Sequence, residues 1–151
     1  MTLAINMHRL LVCLFLAITP ALEAGTAETV IRGKTESGRT QIEVRVDDGG
    51  SRISYVKLTI DGESYSIDDV DSLPQAFIRD DKNGVLFVVV EARGQQFRLW
   101  MVPNSEKVVE QEHGTYRSRF AAVIEATDPR KAKGGQLTPW ITIGCTLEWI
   151  I

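Results

Sequence analysis

The chain has 151 residues, 44% hydrophobic and 25% charged. That is enough for one folded domain, and the balance excludes a disordered chain. A formal net charge of −3 gives no general attraction to nucleic acid or to an anionic membrane, although a local patch can still form. Beyond residue 24 the chain has one histidine, His113, and one cysteine, Cys145, too few soft ligands for a zinc or copper site within one chain.

The N-terminus carries a targeting pattern. His8 and Arg9 precede nine apolar residues, Leu10 to Ile18. That length suits a signal peptide and is too short to span a bilayer. Thr19-Pro20 breaks the run, and the small residues Ala21, Ala24, Gly25 and Ala27 follow. Cleavage is expected after Ala24 or Ala27. Residues 1–24 are therefore read as a signal peptide and 25–151 as a single domain, periplasmic or secreted in a bacterium, with an uncleaved anchor as the alternative. Cys13 follows Val12 inside the apolar run, which argues against lipidation there. Losing residues 1–24 leaves the net charge unchanged and Cys145 as the sole thiol. The exported domain then has no internal disulfide and depends on its core.

Along the rest of the chain, Val30-Ile31 reads as a short first strand. Ile42, Val44 and Val46 alternate with Gln41, Glu43 and Arg45, the pattern of a half-buried strand. Residues 48–51 form a turn. Ile53 to Ile60 follows with Val56, Leu58 and Ile60 inward and Tyr55, Lys57 and Thr59 outward. Asp61-Gly62 is a strong two-residue hairpin turn, and a short strand with Tyr65 and Ile67 returns. The acidic connection from Asp68 to Pro74 leads to a strand around Phe77 and Ile78, then to a turn ending at Gly84.

Gly84 to Pro103 is the most β-rich stretch. With Arg93-Gly94 as the turn, Ala92 faces Gln95. One face then pairs Val90 with Phe97, Val88 with Leu99 and Leu86 with Met101, and is wholly apolar. The other pairs Val89 with Arg98, Phe87 with Trp100 and Val85 with Val102. Its apolar residues need cover from a ligand, a partner, or the chain's own residues 26–34. Residues 104–113 are polar and are read as holding one helical turn.

The last pair is Thr115–Thr127 with Ile141–Ile151. Ile141, Ile143, Cys145, Leu147 and Trp149 share one face, read as core. Placing small Ala122 opposite Cys145 sets Phe120 against Leu147 and Arg119 against Glu148. Trp140, after Pro139, is read as half-exposed at a strand entry. Seven to nine strands with short turns predict an all-β antiparallel domain, an up-and-down barrel or meander, with a β-sandwich as the alternative.

No catalytic constellation emerges. Cys145 and His113 are the only cysteine–histidine pair of the mature chain, but alternation buries the thiol, where it is inert. There is no Gly-x-Ser-x-Gly elbow and no phosphate-binding glycine loop. Asp68, Asp69, Asp71, Asp80 and Asp81 lack the spacing of a Ca²⁺ loop. Glu91, Glu125 and Glu148 lie on strands with nothing that pairs them for acid–base work. No metal, cofactor or nucleic-acid partner is expected, and no membrane contact after signal cleavage. The candidate contact residues are Phe87, Trp100, Arg98 and Trp140, with a basic patch of Arg117 and Arg119 beside Arg130, Lys131 and Lys133. The expected function is a non-enzymatic exported binding module for a protein partner or a small apolar ligand. A hydrolase with an unrecognised site is the alternative, and the oligomeric state stays open. Small exported β-barrels that inhibit lysozymes are an analogy in size, export and fold class. Their cysteine-bracketed pattern and glycine-rich loop are absent, so no family is assigned.

Overall fold

The computed structural model describes residues 28–47, 52–68, 75–112, 114–131 and 135–150. The expected signal peptide lies outside them. Ten strands are formed: β1 (Glu28–Lys34), β2 (Thr40–Val46), β3 (Ile53–Ile60), β4 (Glu63–Asp68), β5 (Gln75–Asp80), β6 (Val85–Ala92), β7 (Gln95–Met101), β8 (Lys107–Glu112), β9 (Thr115–Ala126) and β10 (Ile141–Ile150). A short 3-10 turn, Pro129–Lys131, follows β9. The tenth strand is β8, where a helical turn was expected. Its residues are polar or exposed on both sides, and a bulge interrupts it between Val108 and Glu110. Such an edge strand has no alternation to reveal it.

All pairings are antiparallel, in the order β4-β3-β2-β1-β10-β9-β7-β6-β5. The chain runs outward from β1 to β4, crosses to the far edge at β5, and returns to pair β10 with β1. Only residues 69–74 link β4 to β5, a reach of about 25 Å at full extension. Nine flat strands would be about 38 Å across, so the sheet must curl. It forms an up-and-down half-barrel rather than a sandwich. Across the seam the Ile53 amide donates to Gln75 Oε1 at 2.7 Å, and the Tyr65 hydroxyl donates to the Gln96 carbonyl at 3.2 Å.

The inward residues make one core, with Ile31, Val44, Val56, Leu58, Val88, Phe97, Leu99 and Ile124 fully buried. The β6–β7 hairpin has the predicted register: Ala92 faces Gln95, Val90 faces Phe97 and Phe87 faces Trp100. Arg93 (φ 51°) and Gly94 (φ 78°) both adopt the left-handed conformation that a type I′ turn demands. Strand β9 forks. Its C-terminal half pairs with β7 and its N-terminal half with β8.

The β9–β10 register differs from the prediction by two residues. Cys145 faces Phe120, Ala122 faces Ile143, and Arg119 faces Thr146 rather than Glu148. A shift of two keeps every side chain on its face and changes every partner. The reason is that bulk is balanced over four strands, not two. Ile42, Gly33, Cys145 and Phe120 form one inward row. A Cβ on Gly33 would lie 2.7 Å from the Cys145 sulfur and 3.0 Å from Ile42 Cγ1. Large Phe120 thus sits across from small Cys145, whose sulfur occupies the space beside Gly33. Trp149 was read as core but is exposed, because it lies near the end of β10 beside Tyr116 and Thr29.

Candidate functional site

Two features mark the outward face. The first is aromatic. Ile78, Phe87, Trp100 and Val123 form one row across β5, β6, β7 and β9. The Phe87 and Trp100 rings are 5.7 Å apart, and Trp140 lies 6.2 Å from Trp100 at 48°. Trp140 was expected half-exposed and is 74% exposed; Ile78 and Val85 are also exposed. This patch points away from the core, so the barrel does not enclose it as a cavity. The expected cover from residues 26–34 is not seen among the described part, because β1 is held between β2 and β10. Trp140 partly covers Trp100 instead. Its indole N–H donates to Glu125 Oε1 at 3.3 Å, while Arg98 Nη1 donates to Glu125 Oε2 at 3.0 Å. Arg98 is thus a brace for the carboxylate that holds Trp140.

The second feature is a basic groove, and it is not the patch that the sequence suggested. Arg130 lies beyond the opposite end of β9, with about 23 Å of strand between Arg119 and Ala126 alone. It is also neutralised, bonding Asp128 and Asp61 at 2.7 Å each. Lys133 lies outside the described residues. Arg117 sits between Glu148 (3.0 Å) and Glu110 (3.2 Å). Arg32 continues this network to Glu148 and Glu43 at 3.4 Å each. Burial opposes ionisation of Glu43, but the Arg45 and Arg32 guanidiniums outweigh it and hold the carboxyl below its usual range.

Arg119 belongs to the neighbouring row. Lys57, Glu43, Arg32, Thr146, Arg119 and Lys107 follow one another across β3, β2, β1, β10, β9 and β8. Lys34 and Gly144 face each other in the next row. Together they line a groove of about 830 Å³ with five cations, Arg32, Lys34, Lys57, Lys107 and Arg119, against one carboxylate, Glu43. Among the described residues, Lys34, Lys57, Lys107 and Arg119 make no ion pair. Gly144 presents no side chain at this point of β10. A Cβ there would meet only the Lys34 carbonyl, at 3.8 Å. Sequence reasoning found Arg119 but missed Arg32, Lys34, Lys57 and Lys107. Lys57 holds an outward position in an alternating strand, Lys107 lies on a strand without alternation, and the non-local pairing of β1 with β10 is what brings the two halves of the group together.

The remaining candidates are occupied or lie elsewhere. Burial pushes the Cys145 thiol up to about 12, far from a reactive thiolate. Asp80 accepts bonds from the Lys82 and Asn83 amides and from the Asn83 side chain, so it caps its own turn. His113, Asp69 and Asp71 lie outside the described residues. Comparison of the chain with protein-family models, curated proteins and solved structures found no match.

Proposed function

We propose that the protein is an exported, non-catalytic binding module that takes an anionic partner on the outward face of its half-barrel. The observation that carries this is the groove around Gly144 and Thr146, where four cations without an ion pair among the described residues, Lys34, Lys57, Lys107 and Arg119, stand beside the paired Arg32 and Glu43 in a chain of net charge −3. Such a cluster costs mutual repulsion when empty, and its summed field raises the local concentration of anions. Export is supported by the length of the apolar run at Leu10–Ile18 and by the small residues after Pro20. The packed interior directs binding to the outside. The test is titration of the purified protein with dextran sulfate, followed by fluorescence anisotropy. Binding that weakens with salt and is lost in Lys57→Glu/Arg119→Glu is expected. Unchanged binding by that double variant would overturn the proposal.

A second reading rests on Trp140, which stands 74% exposed above Trp100 and Phe87. A contiguous exposed apolar patch marks a contact surface for a protein or an apolar ligand. Trp140→Ala then abolishes partner capture while leaving dextran sulfate binding intact. Equal capture by the variant and the parent would remove this reading.

A further inference from the structure

We infer that the anionic partner of the groove is a linear polysaccharide bearing one acidic group on about every second sugar ring, laid across the strands. The inference rests on the anionic-partner reading above and names its chemistry. Neighbouring strands lie about 4.8 Å apart. Lys57, Arg32 and Arg119 occupy every second strand of the row, β3, β1 and β9. Their backbones are therefore about 9–10 Å apart, close to the repeat of a disaccharide in an extended chain. Lys57 and Arg119 have no ion pair among the described residues, whereas Arg32 shares its charge with Glu43 and Glu148 at 3.4 Å, long contacts that an acidic sugar would have to compete for. With Lys107 on β8 the row extends to about 24 Å. That suits a polymer better than a compact anion such as phosphate.

The neutral positions fit the same ligand. Thr146, Gln41 and Thr59 line the groove between and beside the cations and offer hydrogen bonds to sugar hydroxyls. The aromatic content argues against single-stranded nucleic acid. Base binding needs exposed rings on which to stack. The groove's one aromatic residue among those described, Phe120, is buried. The outward row that reaches Trp100 crosses β10 at Thr142, about 13 Å along the strand from Thr146.

Gly144 is the independent observation. Glycine inside a strand weakens it and marks a bulge, a bend or a site of close approach. Here β10 pairs without a register break on both sides, and a Cβ would fit without a clash. The fold has no need of this glycine, whereas a chain lying across β10 does.

The test uses the whole protein and four probes: a hyaluronan hexasaccharide, dextran sulfate, an oligothymidylate of matched charge, and neutral dextran. The hexasaccharide is expected to bind more tightly than the oligothymidylate at equal charge, and neutral dextran not at all. Gly144→Val is expected to keep or raise the melting temperature, since a β-branched residue suits a strand. It should weaken the hexasaccharide by about tenfold or more, because a side chain forced into an occupied path carries an overpacking penalty. Lys57→Ala and Arg119→Ala should each weaken it about two- to fivefold. Binding of dextran sulfate but not the hexasaccharide overturns the inference and leaves the anionic-partner reading standing. Tighter binding of the oligothymidylate overturns it in favour of nucleic acid. Full hexasaccharide affinity in Gly144→Val overturns it too. Failure of every polyanion removes both.

Discussion

Gly33 and Gly144 stand one step apart on the paired strands β1 and β10, on opposite faces of the same sheet. Gly33 faces Cys145 inward, and Lys34 faces Gly144 outward. Inward, the glycine is required: a methyl group would meet a sulfur at 2.7 Å and Ile42 at 3.0 Å. Outward, it is not, since the nearest atom to a new methyl is a carbonyl oxygen at 3.8 Å. The same residue type thus has a packing explanation on one face and none on the other. Charge divides in the same way. Arg117 is matched by Glu110 and Glu148, while Arg119, two residues on, has no carboxylate among the described residues. The inward face and the matched row account for stability. The bare glycine and the unmatched cations Lys57, Lys107 and Arg119 are what stability leaves over, and there a function is to be sought.

The contrast can be broken by substitution. The largest effect is expected deep on the inward face. Phe97→Ala empties a fully buried position and should cost about 3–5 kcal/mol in urea unfolding. A cost below 1 kcal/mol would mean that the core is not closed around it. Gly33→Ala comes next, at about 1–3 kcal/mol from overpacking, and Gly33→Ala/Cys145→Ala should recover part of that loss by removing the sulfur. Gly144→Ala, by contrast, should stabilise by about 0.5–1 kcal/mol, because its backbone is ordinary strand. Equal destabilisation by the two alanines would dissolve the distinction between the faces.

Smaller effects sharpen the comparison of the charged rows. A double-mutant cycle on Arg117 and Glu148 should give a coupling of about 0.2–1 kcal/mol. Arg119→Ala should leave the melting temperature unchanged or slightly raised, since it removes repulsion rather than a pair. Acid provides the last check. Arg130 holds the Asp128 carboxyl below its usual range, and Arg39, then Arg130, do the same for Asp61. Their stabilisation is present above the ordinary carboxylate pKa and is lost as pH falls through the lowered folded values, below about 4. Melting temperatures measured down through that window should fall less steeply for Arg130→Ala than for the parent.

How much of this was legible in the sequence depended on the range of the interactions. The β6–β7 pairing was readable residue by residue, because a two-residue turn at Arg93-Gly94 fixes register locally. The β9–β10 register was not. The long connection from Thr127 to Trp140 imposes none, and its partners are set by Gly33 and Ile42, about a hundred positions earlier in the chain. Facing survived the error because parity is a local property; partner identity is not. Strand β8 was missed because neither of its sides is apolar. Trp149 has the facing that alternation gives it, but alternation carries no information on where the barrel ends. The aromatic half of the site was legible, since Phe87 and Trp100 belong to one hairpin. The basic half was not, because Lys57, Arg32, Arg119 and Lys107 come from four strands, and adjacency in sequence drew Arg130 and Lys131 into a patch that the length of β9 pulls apart.

The pairing of β1 with β10 has a consequence for how the molecule comes into being. Strand β1 acquires its second neighbour only when β10, more than a hundred residues later, is available. Until then the meander from β1 to β4 holds one open edge of hydrogen-bonding groups at β1, beside a half-built core. Closure is the longest-range strand pairing among the described residues, and folds dominated by such distant pairings complete slowly, over milliseconds to seconds. The groove, which crosses β3, β2, β1, β10, β9 and β8, is therefore continuous only after β1 and β10 have paired.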